Sequence, residues 1–142
     1  MLAAILSNLN VVSVLAAAVA AWLFGAVWYM ALSRPWIAAH GWQGREDMPR
    51  RGGMATAAPF IISFVAELVM ATMLFGIIHH IGEVNIPRAL FSAFFIWLGF
   101  VATTITVNNA YPNRRPMLTV IDAAHWLGVL LVMALVIGSF GA

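Results

Sequence analysis

The chain lacks cysteine and lysine, and it has few charged residues of any kind. The absence of cysteine excludes disulfides, thiol nucleophiles and cysteine-ligated metals. Of the 142 residues, 8% are charged and 63% are hydrophobic, with a mean hydropathy of +0.96. Soluble domains carry roughly 25% charged residues. Because so few charges cannot cover the surface of a soluble domain, we predict that most of this surface contacts lipid.

The positive charge is spread thinly along the chain. The net charge of +2 comes from seven arginines against five acidic residues. The arginines are scattered over loops between apolar runs, so they do not form the basic patch of a nucleic-acid-binding protein. The sequence also has no glycine-rich phosphate loop, and its serines lack a histidine at local spacing. We therefore expect no nucleic-acid partner and no cofactor, and a non-enzyme is favoured over an enzyme.

Long apolar runs dominate the rest of the sequence. Each of four runs is near the roughly 20 residues that a helix needs to cross about 30 Å of hydrocarbon. A helix also satisfies its own backbone hydrogen bonds in lipid. We predict an all-α, integral membrane four-helix bundle that forms a single domain over residues 1–142. The spans are expected at about residues 11–32, 57–79, 89–108 and 118–140.

The arginines lie in two loops that a four-span topology puts on one side of the membrane. These residues are Arg34, Arg45, Arg50, Arg51, Arg114 and Arg115. The opposite loop has only Glu83 and Arg88. Short arginine-rich loops stay in the cytoplasm. We therefore expect a multi-pass protein of the bacterial cytoplasmic (inner) membrane with both termini outside.

The first arginine-rich loop, residues 33–56, also carries tryptophan. Trp36 and Trp42 have the amphipathic rings that prefer the membrane–water interface, and the loop is expected to include a short interfacial helix. Arg45, Arg50 and Arg51 are candidates for docking a partner or an anionic lipid. Two functions remain open from the sequence. The arginine and tryptophan content of this loop favours the first of them, the role of a structural or accessory membrane protein.

The other function depends on polar groups inside the apolar runs. Asp122 and His125 lie one helical turn apart, and Glu67 lies near the middle of the second run. Ionisable groups at such depth are costly and are expected to face the bundle interior. We predict one cluster that could serve ligand-linked or proton-linked transport, with a small-molecule ligand as a further partner. Its candidate residues are Glu67, Asp122, His125, Asn108, Thr104 and Trp97.

A structural interpretation of this pair remains open. Asp122 lies near a helix start, where the helix dipole favours a carboxylate, and it could pair with Arg114 or Arg115. His125 could be a packing residue held by hydrogen bonds. At α-helical spacing Trp97, Thr104 and Asn108 share one face of the third run.

The sequence contains three further patterns that are weaker than those above. His79 and Glu83 are four residues apart, but two ligands do not make a metal site. The segments "WLFGAVW" (22–28) and "WLGFVAT" (97–103) are similar, which suggests two parallel-repeated helical hairpins. Small residues recur every four positions, as at Ala17, Ala21 and Gly25, and favour close helix contacts. We expect a homo-oligomer, a dimer or higher, in the lipid bilayer.

Two stretches carry a resemblance to a known family. Residues 99–138, with Gly99–Phe100, Asn108 and the Asp122/His125/Trp126 set, resemble the Domain of Unknown Function 1761 family of small bacterial membrane proteins. Residues 23–41 resemble that family's Gly-x-x-Trp-Tyr region. The sequence departs from the family after Tyr29, where an expected proline is missing. The resemblance implies a four-helix membrane protein and assigns no activity.

Overall fold

A computed structural model describes residues 9–141, and within that range the chain is helical and has no strand. The long helices are α1 (Val11–Ala31), α3 (Met54–Ile81), α4 (Ile86–Ala110) and α5 (Pro116–Phe140). A short helix, α2 (Ser33–Ala39), and a 3-10 turn (Arg45–Asp47) lie in the loop after α1. All four long helices are apolar and long enough to cross a membrane. The predicted all-α membrane bundle is confirmed.

Three long helices begin two or three residues before the apolar runs do. Helix α4 starts at Ile86 because the Asn85 side chain caps it by accepting from the Arg88 N–H at 3.0 Å. Pro116 provides the first residue of α5, where a missing N–H has no cost. Hydropathy does not detect these starts, because capping and first-turn residues need not be apolar.

The helices form a ring in chain order that is open on one side. Helix α1 packs against α3 and α5, and α5 also packs against α4, whereas α3 and α4 make few contacts despite their short connection. A two-fold repeat of the α1–α3 and α4–α5 hairpins would make the α3–α4 contact as close as the α1–α5 contact. The packing therefore does not follow the symmetry of the suspected repeat.

Small residues set the closest helix contacts. Ala17, Ala21 and Gly25 are all buried on α1, as expected for helices that approach closely in lipid. Gly138 of α5 lies against the start of α4, where an added Cβ would be 2.7 Å from the Ile86 Cα. The outward faces of α3 and α4 expose large apolar side chains, as lipid contact requires. Examples are Ile61, Ile62, Val65, Val69, Phe95, Leu98 and Phe100.

Helix α4 contains a π-helical segment, Trp97–Ala102. A π turn holds one residue more than an α turn, so it shifts the faces of all later residues by one position. This shift changes which α4 side chains face the other helices.

Candidate functional site

The most buried titratable group on α5 faces α1. The His125 side chain is 5% exposed, and its ring lies against Gly25, where an added Cβ would be 2.9 Å from Nε2. Only glycine leaves room for the imidazole there. The small residue on α1 thus creates the space for the polar residue on α5.

A tyrosine joins the aspartate and the histidine. The Tyr29 hydroxyl donates a hydrogen bond to Asp122 Oδ1 at 2.8 Å, and the Tyr29 and His125 ring centroids are 4.8 Å apart. Gly25 and Tyr29 are one turn apart on α1, and Asp122 and His125 are one turn apart on α5, so the two helices present matching faces. We call these four residues the α1–α5 site.

Aromatic rings surround the imidazole. Phe24 stacks on His125 at a centroid distance of 6.3 Å and an interplanar angle of 18°. Trp126 lies edge-on to it at 4.9 Å, and Trp28 packs on Phe24 at 5.7 Å. Aromatic side chains thus make up much of the immediate surroundings of His125.

Two buried nitrogen atoms in this region have no hydrogen-bond partner among the described residues, His125 Nδ1 and Trp28 Nε1. An unsatisfied buried polar atom costs about 1–3 kcal/mol. Such atoms are uncommon in native structures, where buried polar atoms are nearly always hydrogen-bonded. An indole N–H only donates, whereas a neutral imidazole can donate or accept. The two atoms suit a ligand that carries at least one acceptor.

Glu67 is buried but does not join the α1–α5 site. The Trp22 indole donates to Ser63 Oγ at 3.1 Å, which aligns α1 with α3. Glu67 is four residues beyond Ser63 in one direction, and Gly25 is three residues beyond Trp22 in the other. At 1.5 Å per residue, Glu67 lies about 10 Å from the level of His125 along the bundle. The single cluster expected from the sequence is therefore divided, and Glu67 Oε2 also lacks a partner among the described residues.

Trp97 reaches the α1–α5 site from α4. Its indole Nε1 donates to the main-chain carbonyl of Ala123 at 2.8 Å, next to Asp122. This bond fixes the rotation of α4 relative to α5 near the site. Trp97 is thus bonded to the backbone of α5 beside the site and does not contact its side chains through this bond.

Thr104 and Asn108 are exposed, contrary to the inward face expected for them. The physical reason is the π-helical segment, which shifts the inward face by one residue. Asn109 takes the inward position and donates to Thr119 Oγ1 at 3.1 Å. A regular α-helical period therefore does not hold from Trp97 to Asn108.

Trp36 and Trp42 are half-buried in an aromatic group that touches the site. Trp36 packs edge-on to Tyr29 at 5.9 Å. Trp42 stacks on His40 at 4.4 Å, and Trp36 contacts His40 at 4.1 Å. The loop after α1 therefore continues the aromatic surroundings of Tyr29.

The arginines of the two loops do not share one role. Arg115 Nη1 donates to the Ala38 carbonyl at 2.7 Å and holds α2 against the α4–α5 loop. Arg45, Arg50 and Arg51 are exposed. The described partner of Asp122 is Tyr29, so the pairing with Arg114 or Arg115 considered from the sequence is not formed.

The candidate metal ligands His79 and Glu83 have no third ligand beside them among the described residues. His79 stacks on Phe75 at 6.0 Å, and among residues 9–141 no three histidine, aspartate or glutamate side chains converge in the way a metal ion requires.

Sequence reasoning missed Gly25, Tyr29, Phe24 and Trp28 as site residues. They belong to an apolar run with no charge, so a search for ionisable groups does not select them. One signal was present, since Gly25, Trp28 and Tyr29 form the Gly-x-x-Trp-Tyr pattern that carried part of the family resemblance. The structure brings this pattern against the Asp122/His125/Trp126 set.

The Tyr29–Asp122 hydrogen bond gives a direct test of the site's geometry. We expect Tyr29→Phe and Asp122→Ala to be non-additive in the free energy of unfolding, with a coupling of about 1–2 kcal/mol. The measurement is a double-mutant cycle in detergent. The pair Tyr111→Phe and Asp122→Ala is the control, because Tyr111 is exposed beyond the end of α4. Additive effects for Tyr29 and Asp122 would contradict the bond.

A comparison with known protein families matches nearly the whole helical part of the chain. A family model described as "Protein of unknown function (DUF1761)" matches residues 12–138. No curated protein and no solved structure matches the chain. The matched range includes both sides of the α1–α5 site.

Proposed function

This chain belongs to the DUF1761 family of proteins of unknown function, and we propose that it binds a small polar ligand within the membrane and that transport of this ligand is coupled to proton movement. The observation that supports this proposal is His125, which is buried against Gly25 and whose Nδ1 has no hydrogen-bond partner among residues 9–141. A buried histidine beside a Tyr–Asp hydrogen bond is an expensive arrangement inside an apolar span. Packing alone does not require it.

The chemistry of the α1–α5 site fits a ligand coupled to protons. Imidazole, phenol and carboxyl groups all exchange protons, and polar residues of this kind mark proton relays in transporters. A ligand acceptor would bond to a nitrogen of His125 or Trp28, while Asp122 supplies a carboxylate held by Tyr29. Protonation makes both ring nitrogens of His125 donors, so proton uptake would favour binding of a ligand acceptor and couple the two events.

The ligand would reach the α1–α5 site from the cytoplasmic side of the membrane. With the arginine-rich loops in the cytoplasm, the protein would lie in the bacterial inner membrane with both termini outside. His125 is nine residues into α5, about 14 Å from the start of the helix. The ligand would therefore enter from the cytoplasmic side, past α2 and the aromatic group around His40.

We expect His125→Gln to reduce solute-driven proton movement at least about tenfold, since a lost hydrogen bond to a charged group costs about 1.5–3 kcal/mol. Proteoliposomes that contain a pH-sensitive dye would be presented with a panel of small organic acids and amines. A solute that the wild type carries changes the internal pH. His80→Gln is the matched control, because His80 is exposed at the far end of α3.

Two results would count against this function. One is a solute carried equally well by the wild type and His125→Gln. The other is a wild type that moves no solute while His125→Gln only lowers stability. The second result would favour the accessory function, in which the buried polar groups hold helices together.

A further inference from the structure

The open side of the helix ring contains a groove between α3 and α4. Its volume is about 620 Å³, and its walls are apolar. Ile77 and Ile81 line it from α3, and Phe91 and Phe95 line it from α4. From Arg88 to Ile96 the groove follows α4 for eight residues, about 12 Å. That is most of the thickness of one leaflet of a bilayer with a 30 Å core.

The groove has a positive charge at one end. Arg88 lines it from the first turn of α4, next to the α3–α4 turn. Ser92, one turn further along α4, is 8% exposed and also lines it. The apolar walls then continue toward the middle of the span. A charge at the helix ends and an apolar groove directed inward match a lipid headgroup and its acyl chain.

The Arg88 guanidinium is held in position but is not neutralised by its described contact. Nη1 donates to the main-chain carbonyl of Glu83 at 2.7 Å. It also lies over Gly82, where a Cβ would be 2.8 Å away. Guanidinium has five N–H donors, so this bond leaves donors free for a phosphate, which arginine binds in a bidentate way.

We infer that this groove is a binding site for one anionic phospholipid, with its phosphate on Arg88 and an acyl chain between α3 and α4. The lipid fills the side of the ring where the protein's own helices make few contacts. The site lies at the opposite end of the bundle from the arginine-rich loops. It does not depend on the transport function proposed for the α1–α5 site.

The test is lipid retention by the full chain in native mass spectrometry. The protein would be mixed with phosphatidylglycerol and phosphatidylcholine that have identical acyl chains. We expect about a fivefold preference for phosphatidylglycerol, the scale of one basic residue near a membrane surface. Arg88→Gln should remove that preference, and Arg88→Lys should keep most of it, because lysine retains the charge.

A second variant distinguishes a lipid that is bound in the groove from a lipid that is attracted only to the positive charge of Arg88. Ser92→Phe fills the groove but keeps Arg88, so we expect both lipids to be lost while gel filtration shows a monodisperse protein. If Arg88→Gln keeps the preference, or Ser92→Phe keeps the bound phosphatidylglycerol, the inference is wrong. It is also wrong if Ser92→Phe removes a dimer mass and no lipid, since the groove would then hold a second copy.

Discussion

Replacing Gly138 with leucine is expected to lower the free energy of unfolding by about 3 kcal/mol, at the upper end of the usual cost of overpacking. An added Cβ at this position would lie 2.7 Å from Cα and 2.8 Å from N of Ile86. Both atoms belong to the backbone, so no side chain can move aside. The first turn of α4 must separate from the last turns of α5.

The matched control is Gly99→Leu. Gly99 has no atom within 4 Å of an added Cβ, and its neighbours Leu98 and Phe100 are exposed apolar residues. We expect a change within about 0.5 kcal/mol, as for other exposed substitutions. Unfolding in mixed detergent micelles measures both variants. Equal losses would show that the α4–α5 contact is not as close as the structure indicates.

Replacing Gly25 with valine is expected to abolish the function proposed for the α1–α5 site while the helices still assemble. A Cβ at Gly25 would lie 2.9 Å from His125 Nε2. The imidazole must turn away from Tyr29, so the proposed ligand would lose a bond to His125 worth about 1.5–3 kcal/mol. That corresponds to about a tenfold to hundredfold loss in ligand affinity, which the proteoliposome assay would register as lost solute-driven proton movement.

Ala26→Val is the control for Gly25→Val, because Ala26 is the next residue on α1 and is exposed. It adds a similar side chain on the lipid side, so solute movement should be unchanged. Helicity by circular dichroism would verify that both variants fold. If Gly25→Val moved solute as well as Ala26→Val, His125 would not be part of the ligand site.

The class of the protein and its helices could be predicted from sequence because hydropathy is local. Each apolar residue contributes to membrane insertion independently of its tertiary partners, so four long runs were enough to specify four helices. The ends were less certain, as at Ile86 and Pro116, because caps and prolines determine them. The burial of Glu67 and His125 also followed from local reasoning, since ionisable groups in lipid are costly.

The arrangement of the polar groups could not be predicted in the same way. Asp122 and His125 are neighbours on one helix, and their spacing was visible in the sequence. Their partner Tyr29 is 93 residues from Asp122 along the chain. Which residues meet across helices depends on how far each helix is displaced along the bundle. That displacement separates Glu67 from His125 by about 10 Å.

The sequence by itself determined that this chain is an apolar four-helix protein with costly buried polar residues, because transfer into lipid is a sum over single residues. Only the tertiary structure decided which of those residues form the α1–α5 site. Gly25 makes room for His125, and the π turn of α4 directs Asn109 inward in place of Asn108. Side-chain contacts depend on helix rotation and axial displacement together, and a regular helical period specifies neither.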